Sequence, residues 1–466
     1  MALKKLYALA CALALSICSQ SLVRARHSFS NQSDTSKQPS PFVLPILKRD
    51  SLLNGLQLIV MEQPGAGSIT ARLRINSGAM FDLSNKGGLA NLTAGMLLRG
   101  GGGLSAKYIS ETIDQSALRV NITVGWDATD LSISGAAGEF ETIFDLLGRL
   151  VISPAFDQKE LDALKSERVA AIKSEQSDDA EAVRRKAIEV VFGTHPFGHP
   201  VVGTAESVAQ ITRQDLSYFH NKFYLANNSQ LLVWGDVTAE QVTRVARARL
   251  GSWKKGERVP PSFRPPELGQ SRRVIIIDRA DGAAGHAAIA QVGLTRRADD
   301  YFAGMVVSDL LGRLNSDYAA KNPGTTFETE IDPRMLPGPL LVKIKSTPEQ
   351  IAAAVNATIE AMTALQSTLI DIEQVEAAKA RLIASMSERL RTPEGAASVI
   401  LEIETYGLGR DYLLNFAQRV KAITPADVQQ AARNLLKPQS VTTVITGPAI
   451  KLEGQLKKMG VVTVVR

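Results

Sequence analysis

Two stretches of this chain repeat one another at a constant spacing, and that repeat limits the fold more than any other feature. The first runs from Ile211 to Gly235 and the second from Ile423 to Gly447, so both ends are offset by 212 residues (423 − 211 and 447 − 235). Each begins Ile-Thr-x-x-Asp, which predicts a threonine N-cap with an acidic residue three positions later, and continues through a helical pattern into an apolar strand. A sequence repeated in this order predicts two similar folding units.

A second pair of segments supports the duplication. Phe156–Ile172 matches Ile370–Met386 at an offset of 214 residues, with Lys165 aligned to Lys379. Two unrelated amphipathic helices followed by two unrelated strands would also give some likeness. The shared order and the near-constant offset favour duplication.

The boundary between the two units lies in a proline-rich stretch. Residues 258–270 contain four prolines, which prevent a continuous helix or central strand: Pro260, Pro261, Pro265 and Pro266. A chain of 466 residues also exceeds the usual size of one domain. We therefore predict an N-terminal domain over residues 46–257, a linker over 258–270 and a C-terminal domain over 271–466.

Hydrophobic periodicity predicts the fold class. Strand patterns occur in neighbouring groups, and helical patterns follow in groups of their own. The predicted strands are 56–62, 68–75, 117–124 and 128–134, and the predicted helices are 88–98, 105–115, 139–152, 157–175 and 180–192. Grouped strands and grouped helices indicate an α+β fold, in which each domain is a mostly antiparallel sheet packed with helices.

The first 25 residues have the layout of a cleavable signal peptide. Lys4 and Lys5 precede an apolar run from Leu6 to Cys18, and small or polar residues follow. This run is too short for a permanent membrane span, so we predict export, to the periplasm or as a secreted protein. A lipoprotein signal ending at Cys18 is the alternative, although a bulky isoleucine precedes that cysteine. Residues 26–45 are predicted to form a flexible lead.

Composition excludes several classes of function. Both cysteines, Cys11 and Cys18, lie within the predicted signal, so the mature chain has neither a disulfide nor a cysteine nucleophile. The formal net charge of +6 falls to +3 without Lys4, Lys5 and Arg24 (6 − 3), and no basic stripe interleaved with aromatic residues is present. We expect no nucleic-acid binding. No Gly-x-Ser-x-Gly sequence occurs, which leaves a serine hydrolase of that type without support.

A series of short motifs carries a resemblance to a known family. Asn76–Phe81 is followed by Lys86–Gly100, which reads Lys-Gly-Gly-Leu-Ala-Asn-Leu-Thr-Ala-Gly-Met-Leu-Leu-Arg-Gly. Later come Glu167-Arg168, His195-Pro-Phe-Gly198, Val202-Gly-Thr204, Tyr224-x-x-Asn-Asn228 and Gly235-Asp236. In this order, over nearly all of Leu52–Gly447, the chain resembles the pitrilysin/insulinase family of zinc peptidases. The resemblance implies two homologous domains arranged as a clam-like chamber.

The resemblance also implies a metal site, which this chain has lost. Family members carry His-x-x-Glu-His on the helix that follows Gly-Leu-Ala. The two imidazoles bind zinc and the glutamate activates a water molecule. The three corresponding positions in this chain are Asn91, Ala94 and Gly95, none of which supplies a good zinc ligand.

Two supporting parts of the family's site are also changed. The third ligand, a glutamate in the family, aligns with Ser174, and the nearest carboxylates are Glu167 and Glu175. In the C-terminal half, family members carry an arginine and a tyrosine that position the substrate. Arg313 and Tyr318 are available here but fall too early in the sequence to be assigned. We therefore expect no zinc cofactor and no catalysis by this chain alone.

Two other motifs have simpler explanations than a functional site. His195 and His199 have the spacing of metal ligands on a helix, but Pro196 and Gly198 between them predict a loop. The glycine run after Arg99 lacks the Gly-Lys-Ser/Thr ending of a phosphate-binding loop, and it predicts a flexible turn.

One part of the family's site needs no metal. In the family, the strand that aligns with residues 117–124 is an exposed edge to which a substrate peptide adds as an extra strand. Matching Asp127-Ala-Thr129 to the family's Asp-x-Thr places Asn121, Ile122 and Thr123 on this edge. Strand addition uses backbone donors and acceptors, so it can survive loss of the metal. The alternative is an ordinary covered strand.

These features predict a non-catalytic periplasmic homologue that binds peptides or forms a heterodimer with a zinc-bearing relative. Two alternatives stay open at this point. One is an active zinc peptidase with non-standard ligands, and the other is a stand-alone peptide-binding or assembly factor.

Overall fold

The computed structural model describes residues 42–279 and 285–465, with only the backbone of Gln176. The predicted signal peptide lies outside the described residues, as does most of the lead predicted over residues 26–45. Within the described part of the chain, no helix is both long and apolar enough to cross a membrane.

The first half is built around a six-stranded sheet and a small hairpin. Its strands are β1 (Lys48–Ser51), β2 (Gln57–Glu62), β3 (Ser68–Ile75), β4 (Gly100–Gly101), β5 (Leu104–Ser105), β6 (Arg119–Val124), β7 (Thr129–Ala136) and β8 (Ser229–Gly235). The sheet order is β1-β2-β8-β3-β7-β6, and among these pairs only β2 and β8 run parallel. β4 and β5 form the hairpin, in place of the flexible turn expected after Arg99.

Eight helices of the first half lie among or beside these strands in the described residues. They are α1 (Leu89–Met96), α2 (Ala106–Gln115), α3 (Phe140–Ile152), α4 (Gln158–Gln176), α5 (Asp179–Phe192), α6 (Ala205–Gln210), α7 (Arg213–Phe223) and α8 (Ala239–Leu250). The side chains of β3 alternate between buried and more exposed, so one face of the sheet carries the apolar core that these helices cover.

The second half repeats this plan. Its strands are β9 (Arg273–Asp278), β10 (Gly285–Val292), β11 (Thr326–Ile331), β12 (Pro339–Ser346), β13 (Thr442–Gly447) and β14 (Val461–Val465), in the order β11-β12-β10-β13-β9-β14. Its helices are α9 (Tyr301–Lys321), α10 (Ile351–Ser367), α11 (Ile372–Leu390), α12 (Pro393–Tyr406), α13 (Tyr412–Lys421), α14 (Pro425–Leu435) and α15 (Ala449–Leu456). The predicted α+β class with mostly antiparallel sheets is confirmed.

The duplication extends to single hydrogen bonds. The order β6-β7-β3-β8-β2 in the first sheet corresponds to β11-β12-β10-β13-β9 in the second. Both Thr-x-x-Asp sequences form capping boxes, at the starts of α7 and α14. The aligned lysines make matching bonds through Nζ: Lys165 donates to the carbonyl oxygens of Ala209 (2.7 Å) and Ile211 (2.8 Å), and Lys379 to those of Lys421 (2.7 Å) and Ile423 (2.8 Å).

Each half also places one helix on the sheet of the other half. α5 packs on β10 and β13, where its residues Val183 and Ala187 join a cluster with Ala288 and Val444. α12 packs on β8, in a cluster that includes Leu232, Trp234, Ala397 and Ile400. Because helices then cover both faces of β8, all seven of its residues are buried. Phe42–Arg466 accordingly forms one compact unit.

Polar groups join the two halves at the same junction. Asp127, in the turn between β6 and β7, accepts hydrogen bonds at Oδ2 from the hydroxyl of Tyr406 (2.9 Å) and the backbone N–H of Met335 (3.0 Å). Burial raises the pKa of Asp127. Residues 258–270, the predicted linker, contain neither helix nor strand, as the prolines predict.

Candidate peptide site beside a degenerate metal helix

Helix α1, where the family carries its metal motif, is anchored at its start by a buried carboxylate. Asp82 accepts at Oδ2 from the N–H of Gly88 and at Oδ1 from the N–H of Ala90, both at 2.7 Å. Gly88 has φ of +94°, a conformation that favours glycine. Burial raises the pKa of Asp82 to about 7, although these hydrogen bonds oppose the rise. The Asp82 carboxylate therefore holds the start of the helix in place.

The three positions that correspond to the family's motif supply no good zinc ligand and no general base. Asn91 is half-buried, and its Oδ1 is buried without a hydrogen-bond partner. Ala94 is completely buried. A Cβ added to Gly95 would lie 3.1 Å from Cδ2 of Leu164, so helix α4 already fills the space beside it.

The surroundings also disfavour a divalent cation. In residues 42–279 and 285–465, no group of three or more His, Cys, Asp or Glu side chains could hold a metal ion. The same added Cβ at Gly95 would lie 3.9 Å from Nη2 of Arg168, which places a guanidinium against the face that carries the metal in the family. A cation at this point repels a second cation. The residues present do not fit zinc.

The candidate third ligands lie at the far end of α4 or are engaged elsewhere. Ser174 is exposed, about 9 Å further along the helix axis than Arg168. Glu167 forms an ion pair with Arg99 at 2.7 Å, and Glu175 is exposed. None of these three side chains comes together with Asn91 as a set of metal ligands.

The structure does not bring Arg313 and Tyr318 together as a substrate-positioning pair. Arg313 is exposed and pairs with Asp317 at 3.3 Å, within helix α9. The ring of Tyr318 packs edge-on against Phe327, with centroids 5.9 Å apart, at the edge of the second core. The contacts of both residues are therefore those of residues that stabilise the fold.

The two histidines flank a 3-10 turn, as the sequence predicts. Nδ1 of His195 accepts from the N–H of Phe197 at 3.1 Å. His199 lies on the other side of the turn, with Nε2 3.9 Å from Oδ2 of Asp82, and burial lowers its pKa. His199 also lines a cavity of about 700 Å³ together with Trp126 and Arg334. Among the described residues, neither histidine belongs to a group of side chains that could hold a metal ion.

The predicted peptide-binding residues lie on β6, which ends the first sheet. No strand among the described residues pairs with its outer side. The N–H of Gly125 donates to the carbonyl of Ala128, so alternate residues Thr123 and Asn121 direct their backbone groups toward β7. Ile122 therefore directs its N–H and C=O outward, away from β7. The side chains of Asn121 and Thr123 are exposed.

Arg168 is the residue of this region whose role the sequence alone did not reveal. It appeared only as part of the Glu167-Arg168 motif. Its position against Gly95 depends on how α4 packs on α1. A glycine at the second histidine position is the one sequence signal that could have pointed to a neighbour filling that space.

Comparison with known proteins identifies the family. The family model described as insulinase (peptidase family M16) matches residues 58–205, and the one described as peptidase M16 inactive domain matches residues 210–382. An uncharacterized zinc protease of Rickettsia felis is 22% identical over 207 residues, which cover 44% of this chain and 50% of that protein. The chain thus spans about half the length of such zinc-protease relatives.

Longer likenesses support the same assignment. The beta subunit of the mitochondrial-processing peptidase of Saccharomyces cerevisiae is 22% identical over 436 residues, covering 87% of this chain and 92% of that protein. A peptidase M16 inactive domain from Pseudomonas fluorescens superposes with a TM-score of 0.77 at 21% identity, over 86% of this chain and 98% of that one. The first half of the Escherichia coli periplasmic protease PqqL gives 0.71 at 16% identity, over 89% and 96%. The chain belongs to the insulinase family of peptidases, peptidase family M16.

Proposed function

We propose that this chain is a metal-free member of its family that binds extended peptides along β6 and acts beside a zinc-bearing relative. The observation that carries the proposal is the combination of an unpaired edge strand with a metal helix that lacks its ligands. Peptide recognition by strand addition needs only main-chain groups, which β6 retains. Hydrolysis needs ligands that Asn91, Ala94 and Gly95 do not supply.

Support for a partner comes from the relatives. The yeast protein is named as the beta subunit of a processing peptidase, and the Escherichia coli protein is named as a periplasmic protease. We infer for this chain a heterodimer with a zinc-bearing relative in the periplasm, in which this chain contributes peptide contacts and the relative cleaves. The apolar run of residues 6–18, predicted as an export signal, is consistent with that compartment.

The peptide-binding half of the proposal is tested by removing one outward backbone donor. Ile122→Pro deletes the N–H that faces away from β7 and leaves the ladder donors of Asn121 and Thr123 in place, as an edge strand tolerates. The probe is a fluorescein-labelled pool of random decapeptides, acetylated and amidated, and the readout is fluorescence anisotropy. We expect binding to weaken about tenfold or more.

Matched controls separate the backbone from the side chains. Ile122→Val and Thr123→Ala keep every backbone donor and should bind the pool like the unmodified chain. Binding that is the same for Ile122→Pro and Ile122→Val would refute peptide addition at β6.

The partner half of the proposal is tested by reconstitution. The purified chain is mixed with an intact His-x-x-Glu-His relative from the same cell and analysed by sedimentation. We expect a one-to-one complex, and we expect the chain alone to leave the decapeptide pool uncleaved. A zinc-dependent cleavage by the chain alone would instead favour the active-peptidase alternative.

A further inference from the structure

Within residues 42–279 and 285–465, Arg168 is a cation without an anionic partner. No described carboxylate lies within ion-pair distance of its guanidinium, whereas Arg99 on the neighbouring segment contacts both Glu160 and Glu167. The Nε of Arg168 is buried and has no hydrogen-bond partner. A buried donor in this state carries a cost that a bound acceptor removes.

Helix α1, which packs against α4, carries a buried acceptor that lacks a donor. Oδ1 of Asn91 is buried and has no hydrogen-bond partner. Asn91 lies one turn before Gly95, on the same face of α1, and the space beside Gly95 is the one that the Arg168 guanidinium approaches. Two packed helices thus present one orphan donor and one orphan acceptor on the face that binds metal in the family.

This face lies next to the edge strand. Helix α1 packs beside both α4 and β6, and the side chains of Val120, Ile122 and Val124 pack on the first core. A peptide paired with the outward groups of Ile122 therefore passes close to the former metal helix. A peptide group offers a C=O acceptor and an N–H donor, which is the pair of partners that Arg168 and Asn91 lack.

We propose that Arg168 and Asn91 bind one main-chain peptide group of an extended peptide, with Arg168 donating to its carbonyl oxygen and Asn91 accepting from an N–H. This proposal rests on the proposed function, since it adds a contact to a peptide held on β6. The guanidinium supplies the positive charge at the carbonyl that a metal supplies in active relatives. No bond is made or broken.

The recognition is independent of peptide side chains and of terminal charge. A charge-assisted hydrogen bond is stronger than a neutral one, so we expect Arg168 to contribute more to peptide affinity than Asn91 does. Arg168→Lys keeps the positive charge but loses the planar guanidinium, so this variant should keep only part of the affinity for peptide.

The test uses the full chain and the same capped decapeptide pool. Arg168→Met removes the guanidinium and keeps an unbranched apolar stem beside Gly95. We expect it to weaken binding about tenfold, and Asn91→Ala to weaken it by a smaller factor. Lys173→Met, at an exposed position of the same helix, is the matched control and should bind like the unmodified chain. Circular dichroism confirms that each variant is folded, and Arg168→Gln serves if Arg168→Met is not.

The outcomes separate this proposal from the one on which it rests. If Ile122→Pro abolishes binding while Arg168→Met and Arg168→Lys leave it unchanged, the Arg168 contact is wrong and peptide addition at β6 stands. A second pool with free C-termini is measured in parallel, and if the Arg168 variants weaken binding of that pool alone, the main-chain contact is wrong and Arg168 is a carboxylate receptor. If the unmodified chain binds no peptide, both proposals fail.

Discussion

At the scale of single residues, helix α1 lacks the space for the family's metal motif as well as its side chains. Restoring the family's motif requires Asn91→His, Ala94→Glu and Gly95→His. Ala94 is fully buried, so its replacement places a carboxylate in the interior, at a cost in desolvation. The imidazole at position 95 must displace Leu164 and would face Arg168.

We therefore expect this triple variant to be less stable than the unmodified chain by about 3 kcal/mol or more, and to remain inactive. Urea denaturation measures the difference, and the single variant Asn91→His, at a half-buried position, should stay close to the unmodified chain. A triple variant of unchanged stability that holds one zinc ion per chain would show that the packing around α1 is more accommodating than the structure indicates.

Asp82 gives a prediction at the same scale. Its pKa is raised to about 7 in the folded state and is near 4 when unfolded, so the folded chain binds more protons between these values. Asp82 therefore contributes a fall in the free energy of unfolding as pH rises from about 4 to about 7, and no change above, whereas His195, His199 and His220, whose pKa values burial lowers, contribute a rise. Asp82→Asn should flatten this slope, although Asp127, whose pKa is also raised, leaves a residual slope.

Denaturant titrations at several pH values between 4 and 8 measure this slope. Asp427→Asn is the control, because the pKa of Asp427 is lowered by its capping bonds and its contribution changes only in more acidic solution. An Asp82→Asn variant with the full slope of the unmodified chain would place the titrating group elsewhere.

At the scale of helices and strands, the sequence predicts well the features that depend on neighbouring residues, such as helix caps and the alternation of strand side chains. The Thr-x-x-Asp sequences begin helices α7 and α14 as capping boxes, and the alternation in β3 appears as alternating burial. Element boundaries differ from the expected ones by one or two residues at most ends, for example Arg119–Val124 instead of 117–124.

Long-range packing was not predictable in the same way. Nothing local in Asp179–Phe192 or Pro393–Tyr406 indicates that each helix crosses to the other half's sheet. The degenerate positions Asn91, Ala94 and Gly95 could be read directly from the motif. The orphan groups of Arg168 and Asn91 could not, because whether a polar atom finds a partner depends on the helix packed against it.

The crossing helix α12 carries its own prediction. Tyr406→Phe removes the hydroxyl that donates to buried Asp127, and should lower the free energy of unfolding by roughly 1–3 kcal/mol. The control is Tyr218→Phe at an exposed position, where little change is expected. Equal melting temperatures for the two variants would mean that this bond contributes nothing to the junction.

At the scale of the whole molecule, the exchanged helices join the two halves in one compact unit. A glutamate-specific protease should cut after Glu257 or Glu267, both exposed and in a segment without helix or strand. The fragments should nevertheless elute together in native buffer, because α5 and α12 bury apolar side chains on the opposite sheets. They should separate only in denaturant. Fragments that separate in native buffer would contradict the exchanged packing.

Peptide binding without metal would set this chain apart from the zinc peptidases of its family. Native mass spectrometry of the purified chain, incubated with equimolar zinc and the capped decapeptide pool, tests it most directly. We expect a chain that carries intact peptide and no zinc, with the same peptide occupancy after a chelator is added. A stoichiometric zinc adduct, with peptide occupancy that disappears on chelation, would contradict it.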